Sequence, residues 1–468
     1  MLVFAICTYL LINLAVGLWA SRRVKNTEDF VLAGRGLGLG LASMVTFATW
    51  FGSETMMGAP SHFIEGGILA VIEEPFGAAL CLILVGVFFA RTFYEWNIIT
   101  FCDFFLIRFG RSAEFLSAIM IIPSYFGWIA AQLVAMGVVG QVVFGLPLTV
   151  GISVGAGLVM VYTLTGGMWS ISITDFLHNI ILIIGLIILA YVLFLKTGGI
   201  ERVINQQPKD FFRFTPKQMS FQSYAKYLAA WITIGLGSIP QQDIFQRVMA
   251  SKNAKTAVRS SILAGCLYLT VALLPLMIAL VAKTLYPELL QTDTKLIIPN
   301  MVLRHTPVWV QILFFGALIS ALLSTTSGAI LAPATILGEN LIKPHFPKIS
   351  DQNLLKVIRL SVVFVTFSSI IMALSRQDIF ELVNESSAFS LVSLFIPLTF
   401  GLYWEKANLI GCLAAMTLGL GVWLFCYVVI ETTFPAVLYG TFASLIGMLL
   451  GSLLGRKTVF FFEGFYKV

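Results

Sequence analysis

Apolar runs of about 20 residues, each long enough to cross a bilayer core as a helix, recur along the chain between short polar interruptions. They predict thirteen membrane spans, at roughly 2–20, 37–60, 68–91, 113–140, 147–165, 170–195, 223–241, 258–284, 307–337, 354–375, 380–403, 407–430 and 434–455. Two of the thirteen are spoiled as helices. The stretch from Gly34 to Gly67 opens on glycines at 34, 36, 38 and 40, carries a polar knot at Thr49, Gly52, Ser53, Glu54 and Thr55, and then meets Gly58 and Pro60. A second stretch, Leu228 to Gln242, is interrupted by Gly235, Gly237, Ser238 and Pro240. Backbone freed by such breaks cannot face lipid, so each break must be packed in protein or line a cavity. The freed carbonyls can then hold a cation. Matched breaks in two halves point to the binding site of a secondary transporter built from inverted repeats.

The breaks fall in spans two and seven, five apart. The pattern therefore predicts an all-α polytopic membrane protein with thirteen transmembrane helices and a 5+5 inverted repeat whose first and sixth core helices are broken. A leading helix occupies 1–21, the first repeat 22–196, an extracytoplasmic loop 197–222, the second repeat 223–405, and two trailing helices with a cytoplasmic tail 406–468. The first run has no basic residue before it and is followed by Ser21-Arg22-Arg23, which reads as a retained span and not a cleaved leader.

Composition sharpens this picture only a little. Charged residues are 11% of the chain, far below the roughly 25% of a soluble domain. Basic side chains collect at Arg22, Arg23, Lys25 and Arg35, at Arg247, Lys252, Lys255 and Arg259, and in a tail with Arg456, Lys457 and Lys467. By the positive-inside rule the N-terminus lies outside and the C-terminus in the cytoplasm, in a plasma or cytoplasmic membrane. The loop between spans six and seven, with Lys209, Arg213 and Lys217, runs against that rule. A net charge of +6 spread over loops does not imply nucleic-acid binding. The six cysteines form no CxxC pair, and no two of the four histidines are within helical reach, so no transition-metal centre is expected. The expected partners are the lipid bilayer and a small-molecule solute; nothing implies an obligate protein partner.

Ionisable groups inside a membrane are costly and mark function by default. Glu54, Glu73, Glu74 and Asp175 fall inside spans, with no Lys or Arg expected at comparable depth. Such carboxylates must stay protonated or face a cation, which points to Na⁺, H⁺ or a cationic substrate. Hydrogen bonding to a broken helix would equally explain Glu54. The ninth span carries Ser324, Thr325, Thr326 and Ser327 within SALLSTTSGA. Hydroxyl oxygens suit a hard cation such as Na⁺, although small polar residues also serve helix packing.

Three segments carry a resemblance to a known family. NTEDFVLAGRGLG at 26–38, TGGMWSISITDFLHN at 165–179 and GSIPQQDIFQRVMASKNAKTA at 237–257 resemble stretches of the sodium/solute symporters, which include proline, sugar and choline transporters. The resemblance covers nearly the whole chain and implies a LeuT-type fold with Na⁺ as coupling ion between the first and eighth core helices. It implies Na⁺ binding by the carbonyls of Ala48, Phe51 and Ala321 and the hydroxyls of Ser324 and Thr325, with Asp175 at a possible second cation site. Trp50 and Trp128 fall where choline transporters place an aromatic cage, able to hold a quaternary ammonium. Ala78 and Gln241 depart from that cage. Glu74 falls near an acidic contact of sugar-transporting members, and Phe76 and Gln241 could line either pocket. With Glu54 these residues make the expected substrate pocket.

The expected function is Na⁺-coupled symport of a small organic solute by alternating access. Two alternatives stay open: an H⁺-coupled symporter working through Glu54, Glu73 or Asp175, and a membrane solute sensor without net transport. An enzyme is not expected, because no nucleophile–base pair or phosphate loop is present.

Overall fold

A computed structural model describes residues 1–218, 220–291, 293–430 and 433–455; the basic tail positions Arg456, Lys457 and Lys467 lie outside the described residues. In chain order the principal helices are α1 (Leu2–Ser21), α2 (Leu39–Trp50), α3 (Ala59–Gly66), α4 (Ile68–Glu95), α5 (Arg111–Phe144) and α6 (Leu148–Thr197). They continue with α7 (Phe221–Gly237), α8 (Gln242–Ala250), α9 (Ala254–Leu285), α10 (Val308–His345), α11 (Asp351–Ser375), α12 (Ile379–Tyr403), α13 (Leu409–Ile430) and α14 (Ala436–Leu454). Among the described residues, 10 helices are long and apolar enough to cross a membrane. The pairs α2/α3 and α7/α8 are not among the ten, because each is a longer apolar stretch cut in two.

Side chains are sorted as lipid demands. Leu11, Val154, Ile184, Leu360, Phe364, Ile371 and Phe442 are exposed, while Gln132, Asp175, Ser320, Thr325 and Thr326 are buried. Water would penalise so much contiguous apolar surface; hydrocarbon does not. In the middle of the bundle α10 runs along α6 and α5, and at one flank α13 and α14 pair as a hairpin against α12.

The 50-residue α6 is one helix only in outline. At Gly167 the backbone leaves the helix with φ 51°, ψ −153°. A Cβ there would come within 2.5 Å of the Phe30 ring and carbonyl, so this corner is reserved for glycine.

Backbone ties close the two ends of the broken elements. Before α2, the Leu37 N–H donates to the Ala250 carbonyl (3.0 Å) and the Lys252 N–H to the Leu37 carbonyl (2.9 Å), a short parallel seam joining the start of α2 to the end of α8. At the opposite end the Ile68 N–H donates to the Phe211 carbonyl (3.0 Å), pinning the 197–222 loop to the start of α4, with the Phe211 ring 5.0 Å from that of Phe63.

Candidate functional site

The first break lies where the polar knot puts it. Trp50 ends α2, Phe51 turns out of the helix (φ −83°, ψ 77°), and a π-helical turn over Glu54–Gly58 leads into α3. Side chains from other helices take up the polar groups this exposes. Gln132 of α5 works in both directions: its Oε1 accepts the Ser53 N–H (2.8 Å) and its Nε2 donates to Glu54 Oε2 (2.7 Å). The amide group also sets the need for Gly52, where a Cβ would lie 2.6 Å from Gln132 Oε1. The Trp50 carbonyl lies 3.1 Å from the Tyr268 hydroxyl oxygen of α9.

Two more carbonyls of the break meet α10. The Thr325 hydroxyl donates to the Ala48 carbonyl (2.9 Å), and the Phe51 carbonyl lies 3.5 Å from the same oxygen. Ala321 lies buried one helical turn before Thr325. The neighbouring Ser324 hydroxyl turns to α6, donating to Asp175 Oδ1. Asp175 Oδ2 is buried without a partner among the described residues. The structure thus gathers Ala48, Phe51 and Thr325 at the break and links Asp175 to them through Ser324. Every atom in this set is a hard oxygen, the donor type an alkali ion prefers.

Beside it lies a small cavity walled by Trp50, Glu54, Glu74, Trp128, Ile234, Ser238, Gln241, Val383, Ser386 and Ser387. It sits between the break after α2, the start of α4, α5, the break after α7, and α12. Trp128 Nε1 donates to Glu54 Oε1 (3.3 Å), and the Ser53 hydroxyl to Glu54 Oε2 (3.3 Å). Glu74 Oε1 accepts from the hydroxyls of Thr55 (2.9 Å) and Tyr268. Trp50 Nε1 is buried without an acceptor among the described residues.

Five of the six expected pocket residues, Trp50, Glu54, Glu74, Trp128 and Gln241, line this cavity. Phe76 does not: its ring packs nearly edge-on against Phe214 of the 197–222 loop, centroids 4.9 Å apart. Two residues apart along a helical turn, side chains point to opposite faces, so Glu74 on the cavity leaves Phe76 turned to the loop. Sequence reasoning passed over Gln132, Tyr268, Ser386 and Ser387, and read Ser238 only as part of the second break. The run Glu385-Ser386-Ser387 in a membrane span was the available signal for Ser386 and Ser387.

The expectation that the buried carboxylates have no basic residue at their depth is corrected by Arg247. Its side chain, 1% exposed, reaches from α8 to donate through Nε to the Thr49 hydroxyl (2.7 Å). One turn before it, Asp243 accepts from the Tyr125 hydroxyl. Both belong to a helix whose nine residues are all buried. Hydropathy reads QQDIFQR as a loop because it assumes that whatever is not lipid is water; here the surroundings are protein. Glu381 and Glu385, by contrast, meet Arg376 at a helix end (3.8 and 2.5 Å).

A bundle of apolar helices whose interior holds a broken span, a cluster of hard oxygens and a small cavity lined by two carboxylates is the architecture of a membrane solute transporter. The family model of the sodium:solute symporter family matches residues 30–419, and the chain belongs to that family. Sodium is accordingly its coupling ion, and it is a multi-pass integral membrane protein that works as a sodium-coupled symporter and not as an enzyme. The high-affinity choline transporter 1 of Caenorhabditis elegans is 27% identical over 89% of this chain and 76% of its own length. The sodium/pantothenate symporter of Haemophilus influenzae is 25% identical over 93% of this chain and 94% of its own. Among solved structures, a Na⁺-coupled sialic acid symporter in a substrate-bound outward-open state superposes with a TM-score of 0.84 at 18% identity, covering 97% of this chain and 98% of that one. The fold is therefore of the LeuT type.

Proposed function

We propose that the protein carries a small organic solute together with Na⁺ by alternating access, the ion held by the carbonyls of Ala48, Phe51 and Ala321 and the hydroxyls of Ser324 and Thr325. The observation that carries this reading is the meeting of the Thr325 hydroxyl with the carbonyls of Ala48 and Phe51, which ties a break in one helix to the side of another. A cation at this place would strengthen the joint between α2 and α10 and so bias the bundle toward one arrangement, which is all that coupling requires. Asp175, joined to Ser324, is the proposed second cation site. Trp50, Glu54, Glu74, Trp128 and Gln241 form the solute cavity next to it.

The same reading proposes thirteen crossings with the N-terminus outside. The ten apolar helices are joined by the broken pairs α2/α3 and α7/α8, and α6 crosses twice. At a rise of about 1.5 Å per residue it would span about 75 Å if straight, more than twice a hydrocarbon core of about 30 Å. The proposed repeats are residues 22–196 and 223–405, each entering on a broken span, after a leading helix at 1–21, around the 197–222 loop and before the trailing helices from 406 onward. The test is uptake of labelled amines, amino acids, sugars and carboxylates into proteoliposomes with and without an inward Na⁺ gradient. Accumulation of one class only with the gradient is expected. Ligand-induced conformational change with no net uptake would leave a sensor in its place.

A further inference from the structure

The cavity has an unbalanced charge inventory. Glu54 and Glu74 both line it, 4% and 2% exposed, and no Lys, Arg or His is among its ten lining residues. The four carboxylate oxygens are not equally served. Both oxygens of Glu54 accept from neutral donors, Trp128, Gln132 and Ser53. Glu74 Oε1 accepts from Thr55 and Tyr268, while its Oε2 accepts no hydrogen bond among the described residues. A carboxylate oxygen left without a donor, in a cavity lined by no basic side chain, is free to take one from a solute, and a charged N–H is the strongest such donor.

The remaining polar groups say what else the solute carries. Trp50 Nε1 is a buried N–H with no acceptor, and indole nitrogen can only donate. Ser238 and Ser387 face each other across the cavity wall, Oγ to Oγ 3.1 Å, and can each give or take a hydrogen bond. Three solute classes fit poorly. A carboxylate-bearing solute would bring a further negative charge to two carboxylates with no cation to offset it. A neutral sugar would require both carboxyls to stay protonated and would bring Glu74 Oε2 no charged donor. A quaternary ammonium has no N–H for Glu74 Oε2, and only two aromatic residues, Trp50 and Trp128, line the cavity, with Gln241 at another of its walls.

Resting on the symport reading above, we propose that the solute is a protonated primary or secondary amine without a carboxylate of its own, its N–H groups received by Glu74 and a hydroxyl or carbonyl oxygen received by Trp50 Nε1. The ammonium stands between carboxylates and the two indole faces, so charge, hydrogen bonding and cation–π attraction act on the same group.

The experiment uses the full chain in proteoliposomes under an inward Na⁺ gradient, offered labelled ethanolamine, its mono-, di- and trimethylated forms, 1,3-diaminopropane, proline, glucose and pantothenate. Uptake is expected for ethanolamine, its monomethylated form and 1,3-diaminopropane, falling by about tenfold or more at full N-methylation, which corresponds to about 1.4 kcal/mol. Glu74→Gln should weaken amine uptake by a similar factor and Glu74→Asp should restore part of it. Binding of ²²Na⁺ to both variants shows that they are folded, because Glu74 contributes nothing to the Thr325 cluster. Preference for choline, glucose, proline or pantothenate, or ²²Na⁺ binding with no uptake of any amine, overturns the proposal and leaves Na⁺ coupling standing. Absence of ²²Na⁺ binding to the unaltered protein would instead strike the symport reading itself.

Discussion

A threonine hydroxyl has one proton to give, and Thr325 gives it to the Ala48 carbonyl. When a cation takes that carbonyl, the hydroxyl must rotate and offer a lone pair, so the same atom serves both states. Thr325→Ala removes the oxygen and is expected to raise the Na⁺ concentration for half-maximal uptake by about tenfold or more, in line with a loss of about 1–3 kcal/mol for a buried polar partner. Thr325→Ser keeps the oxygen and should lie within a few-fold of the parent. Measuring uptake against Na⁺ concentration for both variants decides it: equal curves for Ala and Ser would remove the hydroxyl from the ion site. At this scale much was legible in advance. Glu54, Glu74 and Asp175 were visible because a carboxyl is out of place in an apolar run, whereas Trp50 and Trp128, themselves apolar, were singled out only by the family resemblance. Ser386, Ser387 and Gln132 were not, because serines and lone amides also pack helices, and only the fold shows that Gln132 serves residues 53 and 54 at once. Pairing across long separations, as between Asp175 and Ser324, leaves no local trace at all.

At the scale of elements, the breaks were readable and their surroundings were not. Glycine, proline and polar residues in an apolar run announce a break, and both appeared where expected. The buried α8 was misread as loop, because its polar residues are satisfied by other helices, as Thr49 serves Arg247. The second break also brings α7 and α12 into contact: a Cβ on Gly237 would collide with the Ser387 carbonyl and come 2.9 Å from the Leu391 Cβ. Ser387 lines the cavity proposed for the solute, whereas the Thr325 cluster is built from α2, α6 and α10. Gly237→Ala should therefore push α12 away and lower solute affinity, by about tenfold if overpacking costs about 1–3 kcal/mol. ²²Na⁺ binding should change little. If both fall together, the two sites are not separable in the way the geometry implies.

For the whole molecule, the seam of Leu37 with Ala250 and Lys252 holds the start of α2 to the end of α8. Under the proposed alternating access, this seam is expected to part once in every cycle. Leu37 and Ser251 are bridge partners, and paired residues of neighbouring strands lie within the Cα separation of about 4.4–6.8 Å that a disulfide tolerates. The double variant Leu37→Cys, Ser251→Cys should cross-link under oxidation, stop uptake, and recover on reduction. Continued transport by the fully cross-linked protein would show that the seam is not a moving part.

Energetics at the same scale connect the charge of the solute to what the cycle can achieve. A tenfold Na⁺ ratio supplies about 1.4 kcal/mol, and 100 mV supplies about 2.3 kcal/mol for each charge moved. With one Na⁺ per cycle, a neutral solute gains about 3.7 kcal/mol, a few hundred-fold accumulation, whereas a monovalent ammonium moves two charges and gains about 6 kcal/mol. The slope discriminates better than the ceiling. At fixed Na⁺ ratio, accumulation at static head should rise about tenfold per ~60 mV for one charge and about hundredfold for two, since ~60 mV is about 1.4 kcal/mol per charge. Proteoliposomes clamped at stepped K⁺ diffusion potentials with valinomycin give that slope directly. A two-charge slope for an amine solute is the expected result. A one-charge slope would mean that a proton leaves as the ammonium enters, which assigns one of the two cavity carboxylates, Glu54 or Glu74, a role as proton carrier and not as fixed counter-ion.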